Sequence, residues 1–407
     1  MVMDAIYTAL SGMQAYSTGL DVISNNVANL NTVGFKSSTP IFQDLVLQSA
    51  SASLDGEPAN SQSGAGVTAQ TLTESFAQGQ LSPTGAPLDA AIDGNGFFVL
   101  NDNGTTLYTR AGQFEIDKNG DVVDTTTQAQ VMFSTPTTTL GPLNVNASQT
   151  DPPIATTTVT LSGNLVQNTT TPTTFATQAI TVFDSSGTSE SLTVHFAQNA
   201  TNPLQWTAQV EDASSNVIGS QTLTFNADGT PATGSTSITA TVTPASAPKF
   251  NITFNLGAAG SFAGVTSTAA ASGTTSTVQA LHVDGQALGT LTQYAFTNSG
   301  QLQITYSNSD TKTIGTLVLA RFETQDQLKE VSNGAFVAAN GATPTLGAPL
   351  DVGLGSIDGA NLENSNVDLT TEFTDLITIE RGYQAGSQMV STAGDMMQQL
   401  LDMERGR

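Results

Sequence analysis

Two apolar columns with a seven-residue period stand at each end of this chain, and they restrict its fold more than any other feature. Near the N-terminus Ile6, Met13, Leu20 and Val27 form one column, and Ala9, Tyr16, Ile23 and Leu30 follow each by three residues. Near the C-terminus Leu369, Leu376, Tyr383, Val390 and Met397 form one column, with Ile379, Gly386, Ala393 and Leu400 as the second. This a/d patterning predicts helices that bury a narrow seam against a partner helix. Each helix is polar away from its seam, so neither can bury its stripe alone. The economical arrangement packs the two termini on each other, or on copies of themselves. The alternative is two amphipathic helices lying on an ordinary globular core.

The N-terminal pattern runs into "SNNVANLNTVGFK", residues 24–36. Asparagine is a mediocre helix former because its side chain competes for backbone hydrogen bonds. With Leu20, Ile23, Val27 and Leu30 on the seam, Asn25, Asn26 and Asn29 are expected on the outer side of the helix. Amides there can donate and accept toward neighbouring subunits without placing charge in a packed wall. A fraying helix end is the competing explanation. Gly34 is read as the residue just after the helix cap, where a left-handed backbone is cheap. Phe35 is expected against the last turn, and Lys36, the first basic residue, at the negative end of the helix dipole.

Between the helical ends the pattern is β. Residues 37–80 are rich in Ser, Gln, Gly and Ala and read as a connector with limited structure. From 85 to 133 short alternating strands are separated by turn dipeptides. "LDAAIDGNGFFVL" carries Asp93-Gly94 and Asn95-Gly96 between apolar runs, a hairpin signature, and "FEIDKNGDVV" turns at Asn119-Gly120. A second strand series fills 159–270, residues near 257–277 read as a linker or loop, and β signal resumes from about 280. The expected fold is mainly β with α-helical coiled-coil termini, the second of two β domains being inserted in the first. The expected boundaries are 1–36 and 358–407 for the helix pair, 37–80 for the connector, 81–145 and 283–357 for the first β domain, and 146–282 for the inserted one.

Composition narrows the partners. With 10 basic against 34 acidic residues the formal charge is −24, which argues against a nucleic-acid partner and against docking on an anionic membrane. Charged residues are only 11% of the chain, where about 25% is usual. A Thr, Ser, Gly and Asn surface takes their place, and neighbouring subunits can cover it at low desolvation cost. A soluble extracellular β protein would share this composition. No apolar run reaches the roughly 20 residues of a membrane span. Residues 1–35 carry Asp4 and Asp21 but no Lys or Arg, so a cleavable secretory signal is not expected. Export would use an uncleaved signal.

The residues suggest no catalytic centre, metal site or cofactor. His195 and His282 each lie in a strand-like segment with no second ligand at metal spacing. Asp117, Asn119, Asp121 and Asp124 superficially resemble a calcium loop. Val122 stands where that loop needs glycine, however, and Gln128 where it needs the bidentate glutamate. The glycines at 94 and 96 are followed by no dinucleotide fingerprint, and cysteine is absent.

Against this background the ends are recognisable. "ALSGMQAYSTGLDVISNNVANLNTVGFK" (9–36) and "SNVDLTTEFTDLITIERGYQAGSQMVSTAGDMMQQLLDM" (365–403) resemble the terminal signatures of the bacterial flagellar axial family, the rod and hook proteins. "DGNGFFVL", "FNADGTP", "TVFDSSGTSESLTVHF" and the "NSGQLQITYSNSDTKTIGTLVLARF" return strands resemble the hook members in particular. The resemblance implies a structural subunit that polymerises with itself into a flexible curved tube passing motor torque to the filament. It implies rod, hook cap and hook–filament junction proteins as partners, the flagellar type III export apparatus as the route out, and an extracellular place at the hook and basal body. A distal rod subunit is the alternative within the family. A secreted β-rich enzyme or carbohydrate-binding protein is the alternative outside it.

Overall fold

The computed structural model describes residues 2–47, 63–135, 138–168, 171–245, 247–269, 274–324, 327–339 and 341–405. Most of the chain is β, with one long helix near each end: α1 is Val2–Ala28 and α2 is Leu369–Arg405. Two compact units result. The first holds residues 1–146, 294–304 and 313–407, and the second holds 147–293 and 305–312.

In the first unit, residues expected as a loose connector form an antiparallel hairpin. β1 (Ser38–Leu47) pairs with β2 (Ser63–Glu74) from Ser38↔Glu74 to Leu47↔Ser63. β1 holds the short apolar segment Ile41 to Leu47, which does not alternate, and β2 is mostly small and polar, so neither gives a strand period; the stretch 48–62 lies outside the described residues. A sheet follows with strands in the order Gln130–Thr135, Phe97–Asp102, Thr105–Thr109, Ala335–Ala338 and Leu328–Ser332. Phe97, Val99, Tyr108, Ala320 and Phe336 are buried together on it, and Phe76 and Phe322 pack against them.

The turn at Asn119-Gly120 joins Phe114–Ile116 to Val122–Asp124 as a hairpin, as expected. Asp117 Oδ1 accepts the backbone amides of Asn119 and Asp121 there, a turn-closing role. The Asp93–Gly96 signal works differently. Ala90–Asp93 pairs with Ser356–Gly359, not with Phe97–Asp102. Phe97–Asp102 folds back on Thr105–Thr109 through Asn103-Gly104, both with positive φ, 49° and 93°. That geometry belongs to a two-residue type I′ turn. Gly94 instead allows a close approach, since a Cβ there would stand 3.2 Å from Gly355 Cα.

The second unit is a sandwich of two five-stranded sheets. One contains Ser237–Val242, Phe250–Asn255, Thr158–Gln167, Val265–Ala269 and Gln279–Val283. The other contains Thr174–Ala176, Ile180–Phe183, Ser189–Gln198, Gln205–Glu211 and Val217–Thr224. Alternation puts Trp206, Ala208 and Val210 inside from one sheet and Ile238, Ala240 and Val242 inside from the other. Trp206 is fully buried and donates Nε1 to Ser267 Oγ at 2.9 Å. Val265–Ala269 corrects the expected 257–277 loop: its β-branched residues pair in parallel with Gly163–Gln167.

Candidate assembly interface

The helices and the β1–β2 hairpin carry the residues singled out by the heptad pattern. α1 lies between α2 on one side and the hairpin on the other. Ile23 is buried, and Ile6, Ala9, Met13, Tyr16, Leu20, Val27 and Leu30 are half-buried. The α2 side of this stripe closes over glycines. A Cβ on Gly382 would stand 2.5 Å from the Tyr16 ring, and one on Gly386 would stand 2.8 Å from Met13 Cγ. Each glycine costs helix propensity of about 0.8–1.0 kcal/mol against alanine, and the contacts show what it permits: a closer approach of the two backbones.

The hairpin covers a second stripe, which one period could not reveal. Val67 N donates to Ser11 Oγ at 3.2 Å, and the Tyr16 and Phe42 rings lie 5.8 Å apart. A Cβ on Gly19 would meet Ile379 of α2 and Phe42 of β1 at once. The fully buried line of α1 is therefore Ala15, Gly19, Val22, Ile23 and Asn26. It sits roughly a quarter turn from the heptad seam.

Asn26 is thus a correction. It was expected on the outer amide face, yet it is only 1% exposed. Three and four residues after Ile23 and Val22, it falls on their face of the helix. Its Nδ2 donates to Ser38 O at 2.9 Å and to Glu372 Oε1 at 3.0 Å, and its Oδ1 accepts Ser38 N at 3.0 Å. One amide ties α1, β1 and α2 together. Burial pushes the Glu372 carboxyl up, the Asn26 bond opposes that, and Asp375 and Asp368 add to it. Asp368 caps α2 by accepting Thr370 N at 2.8 Å.

On α2, Ile379 and Ala393 are buried, and Leu376, Gly386, Val390 and Met397 are half-buried. Leu369 and Tyr383 are exposed, against expectation. A strict seven-residue column drifts around a straight helix, so Gly382 takes the place facing Tyr16 and Glu372 the place one heptad before Ile379. The Leu400 side chain lies outside the described residues. α2 carries a further column with the same period. Met389, Met396 and Met403 recur every seven residues, and all three are exposed. Phe373 and Ile377 on α2, and Tyr7 (64%) and Leu10 (52%) on α1, are also open.

The helix end also differs from expectation. α1 stops at Ala28, so Leu30 lies in a turn and Gly34 is not next to a cap. Exposed Asn25 and half-buried Asn29 end the helix: Asn29 Nδ2 donates to Asn25 O and Asn25 Oδ1, both at 3.0 Å. These bonds close the helix end, where fraying was the competing expectation. Gly34 does have the left-handed backbone, φ 70°, and a Cβ there would also meet Ala111 N at 2.6 Å. Phe35 is buried.

Lys36 does not sit at the dipole of α1. It is buried, and its Nζ donates to Glu363 Oε1 at 2.7 Å and Ala77 O at 2.8 Å. Arg110, also buried, approaches Glu363 Oε2 at 3.4 Å and donates to Gly94 O at 2.9 Å. Glu363 Oε1 further accepts Gly79 N at 2.7 Å, and Glu363 O accepts Gly34 N at 2.7 Å. Burial lowers the pKa of both Lys36 and Arg110, with Glu363 opposing the shift. These residues are far apart in sequence, so no local motif announced them.

Comparisons with known proteins cover the same regions. Residues 6–36 match the flagella basal body rod protein family, and residues 359–403 the flagellar basal body rod FlgEFG protein C-terminal family. Residues 91–194 match the flagellar hook protein FlgE/F/G D1 domain, and residues 144–286 the flagellar basal body protein FlaE D2 domain. The chain is 30% identical over 435 residues to the flagellar hook protein FlgE of Salmonella typhimurium, covering 97% of this chain and 98% of that relative. It is 30% identical over 471 residues to the flagellar hook protein FlgE of Treponema pallidum, covering 99% and 100%. The crystal structure of Helicobacter pylori flagellar hook protein FlgE2 shares the fold with a TM-score of 0.51 at 13% identity, over 68% of this chain and 98% of that one.

Proposed function

The chain belongs to the flagellar hook protein family, and on that premise we propose that it is the structural subunit of a bacterial hook, polymerising with itself into a flexible tube that passes motor torque to the filament. The observation that carries this reading is the state of the terminal helices. α1 is covered by both α2 and the hairpin and α2 by α1, and each still leaves apolar residues open: Tyr7 and Leu10 on α1, and Phe373, Ile377 and the Met389, Met396, Met403 column on α2. A neighbouring copy supplies what each open stripe lacks. Head-to-tail contacts that do not close on themselves build an open helical filament. In that assembly the predicted seams and the open stripes together form the contact surface, and the ordering of the helices is coupled to growth.

A joint that bends while it turns needs contacts that slide. A Thr, Ser and Asn surface offers many near-equivalent hydrogen bonds and few ion pairs to fix one register. The role is structural rather than catalytic. The chain is exported by the flagellar type III apparatus, joins the rod at one end, grows beneath a cap and meets the junction proteins at the other, all outside the cell. Electron microscopy of the concentrated protein tests the reading. The full chain should form curved tubes, and a variant lacking residues 1–30 should stay monomeric with its β units folded. Full-length protein that stays monomeric at every concentration would refute it.

A further inference from the structure

A cavity in the first unit is built for an anion and has no assigned role. It measures about 280 Å³, and its lining includes Phe76, Phe97, Phe322, Arg110, Arg321 and Glu323. Phe97 stands edge-on to Phe76 at 5.4 Å and to Phe322 at 6.1 Å, and the Arg110 guanidinium lies 5.3 Å over its ring. The chain has ten basic residues in all, so two guanidiniums in one cavity are a costly concentration.

Arg110 is partly used, since it already meets Glu363 Oε2 and donates to Gly94 O. Arg110 is only 3% exposed, and its Nε is buried with no hydrogen-bond partner. Arg321 Nε is likewise buried and unpartnered. Among the described residues Arg321 makes no ion pair, and Glu323 at the exposed rim pairs with neither arginine. A buried N–H without an acceptor costs about 1–3 kcal/mol. The Arg321 guanidinium, which lines the cavity without an ion pair among the described residues, is the group whose acceptor is still to arrive. The acceptor that suits a guanidinium fork is a carboxylate, and the phenyl walls take the apolar stem that carries it.

We propose that this cavity receives an aspartate or glutamate side chain from a neighbouring copy of the chain. Charge complementarity names the occupant, for the chain carries 34 acidic residues and nearly all its partners in a homopolymer are itself. The inference rests on the self-assembly reading, but its chemistry can be tested apart from it. Titration of the monomer with 4-phenylbutyrate, an aryl carboxylate, should release heat, and Arg321→Gln should abolish it. No binding by the parent would overturn the carboxylate site whether or not tubes form.

Assembly gives the second arm. Arg321→Gln should raise the protein concentration needed for tube growth by about tenfold, the loss of one charge-assisted contact. Arg321→Lys should recover only part, because it keeps the charge but not the fork. Because the chain lacks cysteine, Thr324→Cys at the rim can carry a benzophenone label with both arginines intact. Photolysis of labelled tubes should give crosslinked dimers joined at an acidic segment. Tubes that form at the parent concentration in Arg321→Gln, or that give only intrachain crosslinks, would overturn the neighbouring-copy occupant.

Discussion

The cores of the two units are filled by different chemistry. In the sandwich of the second unit the largest buried side chains are Trp206, Phe196 and Phe254 from its own strands and Phe225 from the residue just after one. Its buried Asp184 serves residues next to it, accepting Ser186 N at 2.8 Å and Thr188 N at 2.9 Å. Its Lys312–Asp151 ion pair leaves the lysine half-exposed. In the first unit two buried cations meet one buried carboxylate, and all three come from distant segments. The sandwich can therefore be completed by its own strands. The first unit is complete only when both ends of the chain have joined it.

Substitutions in the two cores should separate these modes. Glu363→Gln leaves Lys36 and Arg110 buried with no anion, and is expected to destabilise the first unit by about 3–5 kcal/mol. In calorimetry the transition of the second unit should stay in place. Trp206→Ala should cost about 3–5 kcal/mol in the second unit by opening a cavity, while the first unit melts as before. If either change shifts both transitions equally, the units are not independent.

Asn26→Ala should have a smaller effect. It removes hydrogen bonds to Ser38 and Glu372 and leaves a buried carboxyl without its donor, a loss of about 1–3 kcal/mol. Hydrogen exchange should rise at Ser38 and in the first turns of α2, and unchanged protection there would place Asn26 outside the contact. The smallest effect concerns pH. Burial, with the nearby Glu330 carboxylate adding to it, pushes Glu74 up to about 7. A raised folded pKa favours proton uptake on folding, so this stabilisation is full below about pH 4.5 and lost as pH rises through 7. Glu74→Gln should flatten the stability of the first unit between those limits and raise its midpoint at pH 8. A pH profile matching the parent would show that Glu74 carries no such strain.

The sequence made some of this legible through periodicity. Tyr16, Met13, Ile379 and Ala393 were placed on the seam because a helix in contact with one partner leaves a heptad trace. Period two likewise marked the strand around Trp206. Asn26 was misplaced because α1 has two partners, and a single seam cannot describe a helix covered on two sides. The hairpin from Ser38 to Glu74 was missed because β2 is mostly small and polar and the apolar segment of β1 does not alternate. Asp93-Gly94 misled because its glycine serves a crossing of strands rather than a reversal. The Lys36, Arg110 and Glu363 cluster left no local signal, for its members meet only in the folded chain.

That cluster also orders events in time. Lys36 and Glu363 are 327 residues apart. At a synthesis rate of about 5–20 residues per second, roughly 15–65 s separate the appearance of the two. For that interval Lys36 lacks the carboxylate that receives it and α1 lacks α2. The first helix to be made is therefore among the last to be finished, and the schedule is written into the distance between one lysine and one glutamate.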